Sequence, residues 1–376
     1  MPDKRQGLIE KYELAACFQC GKCLAGCPVA LKSILNIRRL MREVWLSDSL
    51  EKIYQRPELW DCTTCQTCTI RCPRGLKPHE LIMAMRANLV EEGKIPKTAS
   101  EALEGIYKYG NPWSRLKSKR KEWAKGLGVK DFARGDKAEW LYFVCCSACY
   151  DPRVNEVARA MAGSLSQARV DFGILGNEET CCGSEVRRMG EAGLFEMLVE
   201  ENLSRFKKYG IARIVTTSPH CYNAFKNEYP NNEIEVKHYT QLVAELIGSG
   251  KLGFSRGMKK VVTYHDPCYL GKQNKIFDEP RSIIRAVPGI TFVDFDRSRE
   301  RSLCCEGGGG RMFVEASGSG ERLAEIRIKD ALRMGADVIA TACPFCLLNL
   351  EDAIKTTGNE GKIVVKDIME LVSEAI

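Results

Sequence analysis

Short apolar runs alternate with helical patterns over residues 139–376. The runs that predict strands cover residues 140–144, 170–175, 211–216, 261–264, 290–295 and 337–341. The patterns that predict helices lie near 153–166, 191–209, 240–248, 280–286 and 319–335. Gly210 and Gly335 follow two of these helices and suit a left-handed C-terminal stop. Strands that alternate with helices predict an α/β fold with mostly parallel sheets.

The first 95 residues show helical periodicity instead. One apolar stripe at helical spacing is predicted from Ile34, Ile37, Met41, Val44 and Trp45. A second helix, ending near Gly93, is predicted from Leu81, Ile82, Met85 and Leu89. We therefore expect an α-helical domain at residues 1–95, followed by a linker or bridging segment at 96–138.

The α/β region is an internal duplication. The segment RIVTTSPHC (213–221) aligns with VIATACPFC (338–346), and VKHYTQLVAEL (236–246) aligns with VKDIMELVSEA (365–375). The pair Cys181-Cys182 aligns with Cys304-Cys305 at a similar offset, and Cys146 aligns with Cys268. We expect a first lobe at residues 139–250 and a second lobe at 251–376, related by pseudo-twofold symmetry.

Composition places the chain among ordinary globular proteins. Its 376 residues, 44% hydrophobic and 28% charged, predict two or three domains with a proper core. A net charge of +7 is too moderate to predict a nucleic-acid partner. The dense basic run at 115–121 is either a solvated face or a docking patch; it consists of Arg115, Lys117, Lys119, Arg120 and Lys121.

The N-terminal segment MPDKRQGLIEKYE lacks the apolar core of a secretion signal, and no stretch approaches the ~18 apolar residues of a membrane span. We expect a soluble chain in a reducing compartment, with its cysteines kept as thiolates. Attachment to the surface of a membrane through a partner stays open.

Eight of the nineteen cysteines form two identical runs, C-x2-C-x2-C-x3-C-P. This is the bacterial ferredoxin pattern for two [4Fe–4S] clusters, in which the fourth cysteine serves the other cluster. The predicted ligand sets are Cys17, Cys20, Cys23 with Cys72, and Cys62, Cys65, Cys68 with Cys27. Zinc sites and disulfides, the alternatives, do not need such duplicated triplets.

The second lobe contains a further set, C-x35-CC-x37-C-x2-C. Its members are Cys268, Cys304, Cys305, Cys343 and Cys346. Each group follows a predicted strand, and the carboxyl ends of parallel strands are where ligands bind such sheets. We therefore expect the five thiols to converge. The glycines at 307–310 allow close approach of the backbone, but they form no phosphate loop because no Gly-Lys-Ser/Thr follows.

This pattern resembles the cysteine-rich CCG domain of the heterodisulfide reductase catalytic-subunit family. The resemblance covers nearly the whole chain and implies a non-cubane [4Fe–4S] cluster, ligated by the five cysteines of the second lobe, that cleaves disulfides in two one-electron steps. The opening CSACYDPRVNEVARAMA (146–162) is most similar to the K subunit of the Dsr-type sulfite-reduction membrane complex. That branch implies a trisulfide on a small sulfur-carrier protein as substrate and a membrane cytochrome b-type subunit as electron donor, with the chain attached to the cytoplasmic face of the membrane.

Two positions depart from the family pattern. Ser218 replaces the first cysteine of the C-x2-C motif in the first lobe, and a serine hydroxyl is a poor soft-metal ligand. We expect this lobe to hold no non-cubane cluster, or a degenerate one. Cys145 and Cys149 are either small buried hydrophobes or replacements for the lost ligand. In the second lobe Glu306 occupies the position where the motif has glycine, so the backbone conformation at this residue could differ from that of the family.

Proton delivery calls for a titratable group near the second-lobe cysteines. His265 is the first candidate and His220 the second, although a histidine beside metal ligands often supports a sulfur instead. Lys272 and Arg311 are either solvated or attract an anionic substrate group. No G-x-G-x-x-G opens a helix after a strand, so we expect no flavin or nucleotide, and electrons must come from another protein.

Three other functions stay open at this point. The chain could reduce the CoM-S-S-CoB heterodisulfide, act purely as an electron-transfer subunit of a quinone-linked dehydrogenase, or use its CCG lobes as a zinc-dependent docking module.

Overall fold

The computed structural model describes residues 4–230 and 233–376. Its N-terminal part is helical, as predicted, and consists of α1 (Lys4–Lys11), α2 (Lys22–Ala25), α3 (Ile37–Leu46), α4 (Glu51–Tyr54), α5 (Thr67–Ile70) and α6 (Pro78–Glu91). On α6 the predicted apolar face is buried throughout. The turn after it contains Gly93 at φ 69°.

The stripe predicted for α3 is wrong at both ends. Asn36 caps the helix by accepting a hydrogen bond from the Arg39 amide at 2.9 Å, so Ile34 lies outside the helix and is 77% exposed. Trp45 is 37% exposed because it lies one position beyond the buried Val44, about 100° further round the helix.

The bridging segment is an ordered part of the fold. It forms α7 (Lys97–Tyr109) and then β1 (Lys130–Asp131), which pairs in parallel with a strand of the first lobe. Gly110, at φ 70°, ends α7 and passes so close to the first lobe that an added Cβ would lie 2.5 Å from the Thr180 hydroxyl. The segment therefore joins the helical domain to the first sheet.

The first lobe is built on a parallel sheet in the order β1-β3-β2-β4-β5. Its further strands are β2 (Trp140–Phe143), β3 (Phe172–Ile174), β4 (Arg213–Thr216) and β5 (Glu235–His238). Its helices are α8 (Cys146–Tyr150), α9 (Pro152–Gln167), α10 (Ser184–Met189), α11 (Ala192–Lys208), α12 (Pro219–Asn223) and α13 (Tyr239–Gly248).

The second lobe repeats this topology with the parallel order β7-β6-β8-β9. Its strands are β6 (Lys260–Tyr264), β7 (Ile290–Phe292), β8 (Val338–Thr341) and β9 (Val364–Asp367). Its helices are α14 (Gly271–Asn274), α15 (Asp278–Ala286), α16 (Leu323–Arg333), α17 (Pro344–Thr356) and α18 (Ile368–Ala375). The α/β class and the parallel sheets are as predicted. The sequence patterns missed β1, β5 and β9.

The two lobes meet in a reciprocal way. Helix α9 of the first lobe packs on α18 of the second, and the equivalent helices α15 and α13 pack on each other. At this interface the Tyr239 hydroxyl donates to Asp367 at 2.7 Å. One hydrophobic core runs through both lobes. Among the helices of residues 4–230 and 233–376, none combines the length and apolar character of a membrane span.

Candidate metal centre

The two N-terminal cysteine runs adopt the same backbone shape. The residue two positions after the first cysteine is left-handed in both runs, with φ 59° at Gln19 and 51° at Thr64. The residue two positions further on is left-handed as well, with φ 78° at Gly21 and 66° at Gln66. Such angles are uncommon for residues other than glycine, and strain of this kind collects at functional sites. Its presence in both copies indicates that the loop shape serves the cysteines.

The loops also provide hydrogen bonds to sulfur. The Thr64 amide donates to the Cys62 sulfur at 3.4 Å, and the Gln19 side chain donates to the Cys17 sulfur at 3.3 Å. Hydrogen bonds to the sulfurs are one means by which proteins tune iron–sulfur clusters. Each run thus provides a hydrogen bond to the sulfur of its first cysteine.

Cys27 shares its surroundings with the second run. Burial raises the pKa of the Cys27 thiol to about 12, and the neighbouring Cys65 and Cys62 contribute to this rise. The exchanged grouping inferred from the sequence requires this placement.

The two runs differ in exposure. Cys20 of the first run is exposed, whereas Cys62, Cys65 and Cys68 of the second are at most 8% exposed. The second run faces the lobes, and the first run lies nearer the surface.

The five cysteines of the second lobe form one connected buried set. Their thiols interact in the order Cys268, Cys304, Cys305, Cys346, Cys343. The sulfurs of Cys305 and Cys346 are 3.1 Å apart, and the five residues are between 1% and 9% exposed. The predicted convergence is therefore present in the structure.

This set lies directly against the second N-terminal run. Cys65 packs in one small cluster with Cys268 and Cys304. The Cys304 thiol lies 3.5 Å from the hydroxyl of Thr63. Electrons that reach the second run would therefore have only a short distance to cover to the second-lobe cysteines.

The first lobe contributes a charged pair beside the second-lobe cysteines. His220 of α12 lies 2.9 Å from Glu185 and stacks on the Tyr269 ring at 4.1 Å. Burial opposes its charge, but Cys343 and Glu185 raise the pKa of His220 to about 9. In turn, hydrogen bonds from Cys346 and His220 overcome burial and lower the pKa of Cys343 to about 5. His220 therefore supports a sulfur of the other lobe.

His265 occupies the opposite situation. A ring nitrogen of His265 and the sulfurs of Cys305 and Cys346 all lie within 4.8 Å of one another. Burial and then the nearby Arg327 lower the pKa of His265 to about 3. The imidazole is consequently neutral at physiological pH and faces sulfur, so the structure favours support of the sulfurs over proton donation.

Of three cations expected at the surface, Lys272 and Arg120 are buried and Arg311 is partly buried. Lys272 is 3% exposed and donates to the Thr67 hydroxyl at 2.9 Å and to the carbonyl of Ser302 at 2.7 Å. The side chain of Arg311 is 9% exposed, and Arg120 of the basic run is 1% exposed. The solvated role was wrong for them because each is covered by a contact between domains, which local sequence does not reveal.

Glu306 keeps the backbone of the glycine that it replaces. Its φ is 71°, against 78° at the equivalent Gly183, and both amides donate to the first cysteine of the pair, at 3.3 Å and 3.4 Å. The Glu306 carboxylate forms an ion pair with Lys32 of the helical domain at 2.9 Å. Glutamate at this position therefore adopts a left-handed backbone that glycine would adopt more easily, and it gains an ion pair with the helical domain.

Arg86 is a central residue that the sequence patterns did not single out. Its guanidinium is fully buried and donates to carbonyls of the second cysteine run and of both lobes, at Leu59, Cys62, Arg188 and Gly309. The signal was available, since an arginine at this position falls on the apolar face of α6, four residues after Ile82.

The chemistry of the donors suits iron–sulfur clusters. Cysteine thiolates are the soft ligands that such clusters use, and here the first three cysteines of the second run and those of the lobes are buried, while those of the first run are partly or fully exposed.

Comparison with known proteins agrees with this architecture. Residues 13–76 match a 4Fe-4S dicluster domain, and residues 140–226 and 262–351 each match a cysteine-rich domain. A crystal structure of a hypothetical protein from Helicobacter pylori aligns with 99% of the chain and 76% of its own at a TM-score of 0.58 and 9% identity, which shows the fold alone.

Three relatives with assigned names are similar in sequence. The probable iron-sulfur-binding oxidoreductase FadF of Bacillus subtilis is 39% identical, and the EtfAB:quinone oxidoreductase of Syntrophomonas wolfei is 35% identical, each over 85% of this chain. The chain spans about half the length of these two relatives, 46% of each. A subunit of the dihydromethanophenazine:CoB--CoM heterodisulfide reductase of Methanosarcina barkeri is 34% identical over 98% of this chain and 95% of its own length.

Proposed function

The chain belongs to the family that unites this heterodisulfide reductase subunit with the FadF-like iron–sulfur oxidoreductases, and from this premise we propose that it reduces a sulfur–sulfur bond at the cysteines of its second lobe. The observation that carries the proposal is the connected, buried set of five second-lobe thiols that lies against the second N-terminal run.

The proposed cofactors are two cubane [4Fe–4S] clusters in the helical domain and one non-cubane [4Fe–4S] cluster in the second lobe. The proposed ligands are Cys17, Cys20, Cys23 and Cys72, then Cys62, Cys65, Cys68 and Cys27, and finally Cys268, Cys304, Cys305, Cys343 and Cys346. A cluster in the second lobe would supply single electrons and an iron able to bind sulfur.

The protein's own residues hold and shield this site. Lys272 and the His220–Glu185 pair place charge around the sulfurs, and His265 positions Cys305 and Cys346. Burial of all five cysteines excludes water from the chemistry.

The reaction consumes two electrons and two protons and yields two thiols from each disulfide. We propose a disulfide or a carrier-borne trisulfide as the substrate class, and a membrane cytochrome b-type subunit as the electron source. The name of the Methanosarcina relative, which pairs dihydromethanophenazine with a heterodisulfide, supports this direction.

A second candidate is a pure electron relay to a quinone-linked partner. Two observations favour it. The second-lobe cysteines are at most 9% exposed, which hinders a bulky disulfide but not an electron, and the Syntrophomonas relative is named as a quinone oxidoreductase.

Turnover separates the two candidates. Anaerobically prepared protein, reduced by a viologen dye, would be offered the CoB–CoM heterodisulfide, a protein-borne trisulfide or a soluble quinone. The reductase proposal expects thiol release, lost in Cys346→Ala while the cubane signals persist, and retained in the matched variant Cys149→Ala. Quinone reduction without thiol release from any sulfur compound would establish the relay instead.

A further inference from the structure

The first lobe contains its own connected set of buried thiols. They interact in the order Cys146, Cys181, Cys182, Cys221, Cys145. Each of the five is at most 8% exposed. The first four occupy the positions of Cys268, Cys304, Cys305 and Cys346 in the second lobe, and only the last member differs.

Ser218, the residue that interrupts the motif, is engaged elsewhere. Its hydroxyl accepts a hydrogen bond from the Cys221 amide at 3.4 Å and so caps α12. The equivalent Cys343 begins α17 without a side-chain cap, which leaves its sulfur for the cysteine set. The first lobe therefore lost a sulfur at this position and gained a helix cap.

Cys145 compensates for this loss in space. The equivalent residue in the second lobe is Pro267, whose ring restricts φ to about −65°. Cys145 instead has φ 73° and ψ 160°, a region that is essentially reserved for glycine. Glu179 holds this backbone by accepting from the amides of Val144 and Cys145, at 2.9 Å and 3.1 Å. In this conformation the Cys145 thiol interacts with Cys221.

We propose that Cys145 replaces the ligand lost at position 218 and that the first lobe also holds an iron–sulfur cluster. Its ligands are Cys145, Cys146, Cys181, Cys182 and Cys221. This site is additional to the proposed function, which needs only the second lobe.

The surroundings suit a negatively charged cluster with access to electrons. The buried Arg120 places a guanidinium nitrogen 3.5 Å from the Cys146 sulfur. Cys146 and Cys181 pack in the same core as Cys62 and Cys68 of the second N-terminal run. The second run and part of the first-lobe set therefore share one hydrophobic core.

Cys149 provides the internal control. Its thiol points to Glu179, with sulfur and oxygen 4.0 Å apart, and lies outside the connected set. A cysteine in the same short helix therefore distinguishes a ligand from a buried thiol.

The test is the content of iron and acid-labile sulfide in the anaerobically prepared full chain, with Mössbauer spectra to count cluster types. We expect about sixteen irons per chain, four for each of four clusters. Cys145→Ser should lower this to about twelve, Cys149→Ala should leave it unchanged, and the double variant Cys145→Ser/Ser218→Cys should restore it by returning the sulfur to the motif position.

About twelve irons in the parent chain overturns the inference, as does an unchanged count in Cys145→Ser. If the single variant does not fold, the parent and the double variant decide, and a double variant that fails to regain the iron overturns the role of Cys145. None of these readouts depends on turnover, so failure of the proposed function would be visible separately.

Discussion

Replacing Arg86 by methionine tests what its buried charge and its hydrogen bonds contribute where the helical domain meets the two lobes. The guanidinium donates two hydrogen bonds to Leu59, at 3.1 Å and 2.8 Å, and one each to Cys62, Arg188 and Gly309, at 2.9, 3.0 and 2.8 Å. All of these acceptors are main-chain carbonyls, so within residues 4–230 and 233–376 the positive charge of the guanidinium is not paired with a carboxylate through a hydrogen bond.

The structure sets the expected size of the effect. A unit charge about 4 Å away contributes ~4 kcal/mol at an effective dielectric constant of 20. The guanidinium contacts the carbonyl of Cys62, whereas the proposed cluster would be bound by its sulfur, so we take about half of this value, which corresponds to a one-electron potential lower by roughly 50 to 100 mV. Methionine also leaves four buried carbonyls without donors, at a cost of about 1 kcal/mol or more each.

The assay is a redox titration followed by electron paramagnetic resonance. We expect the second cubane of Arg86→Met to become harder to reduce, because the cation that stabilised its reduced form is gone. Arg86→Lys retains the charge and should keep the potential close to that of the parent, although it loses hydrogen bonds. A potential in Arg86→Met within about 20 mV of the parent, with clusters intact, would refute the electrostatic argument.

Three further predictions concern stability. Glu306→Gly should cost about 3 to 5 kcal/mol because it leaves the buried Lys32 unpaired, and replacing Lys32 by methionine as well should recover the loss in thermal unfolding. Gly190→Ala should yield little folded protein, since Gly190 has φ 94° and an added Cβ would lie 2.5 Å from a backbone nitrogen of α6. Gly210→Ala is the control: Gly210 has φ 62° and open space around it, so this change should lower the free energy of unfolding by only about 1 kcal/mol. Burial raises the pKa of Asp367 from 3.8 to about 8, so its charge destabilises the fold increasingly as pH rises between these values; Asp367→Asn should raise the thermal midpoint more at pH 7.5 than at pH 5, and an equal gain at both would contradict this.

Elements with a strong local period were the predictable part of the fold. The apolar face of α6 follows from apolar residues at helical spacing. The strands β2, β4, β6 and β8 follow from runs of hydrophobic residues that are buried in the parallel sheets. The strands β5 and β9 were missed although the duplication contained both. Their burial alternates with exposure over four residues and passes directly into a helix, so their signal is short and merges with the helical one.

The site was predictable in its cysteines and not in its surroundings. The convergence of the five second-lobe thiols could be predicted from the sequence, because each group of cysteines follows a strand of the parallel sheet. Local sequence patterns do not encode how separate domains pack. They therefore could not predict the burial of Lys272, the interaction of His220 with Cys343 of the other lobe, or the contacts of Arg86 with both lobes. His265, three residues before Cys268, was the first candidate for proton delivery, with support of a sulfur as the alternative; burial and then Arg327 lower its pKa to about 3, which favours that alternative.

The first lobe contributes side chains to the surroundings of the second-lobe cysteines. His220 and Phe345 occupy equivalent positions before Cys221 and Cys346, and their rings meet at 5.0 Å where the lobes join. The polar member of this pair comes from the first lobe and interacts with Cys343 of the second. Glu185, also from the first lobe, accepts from the amide of Gly310 in the second-lobe glycine loop at 2.6 Å. Through His220 and Glu185 the first lobe thus takes part in the second-lobe site independently of its own cysteines.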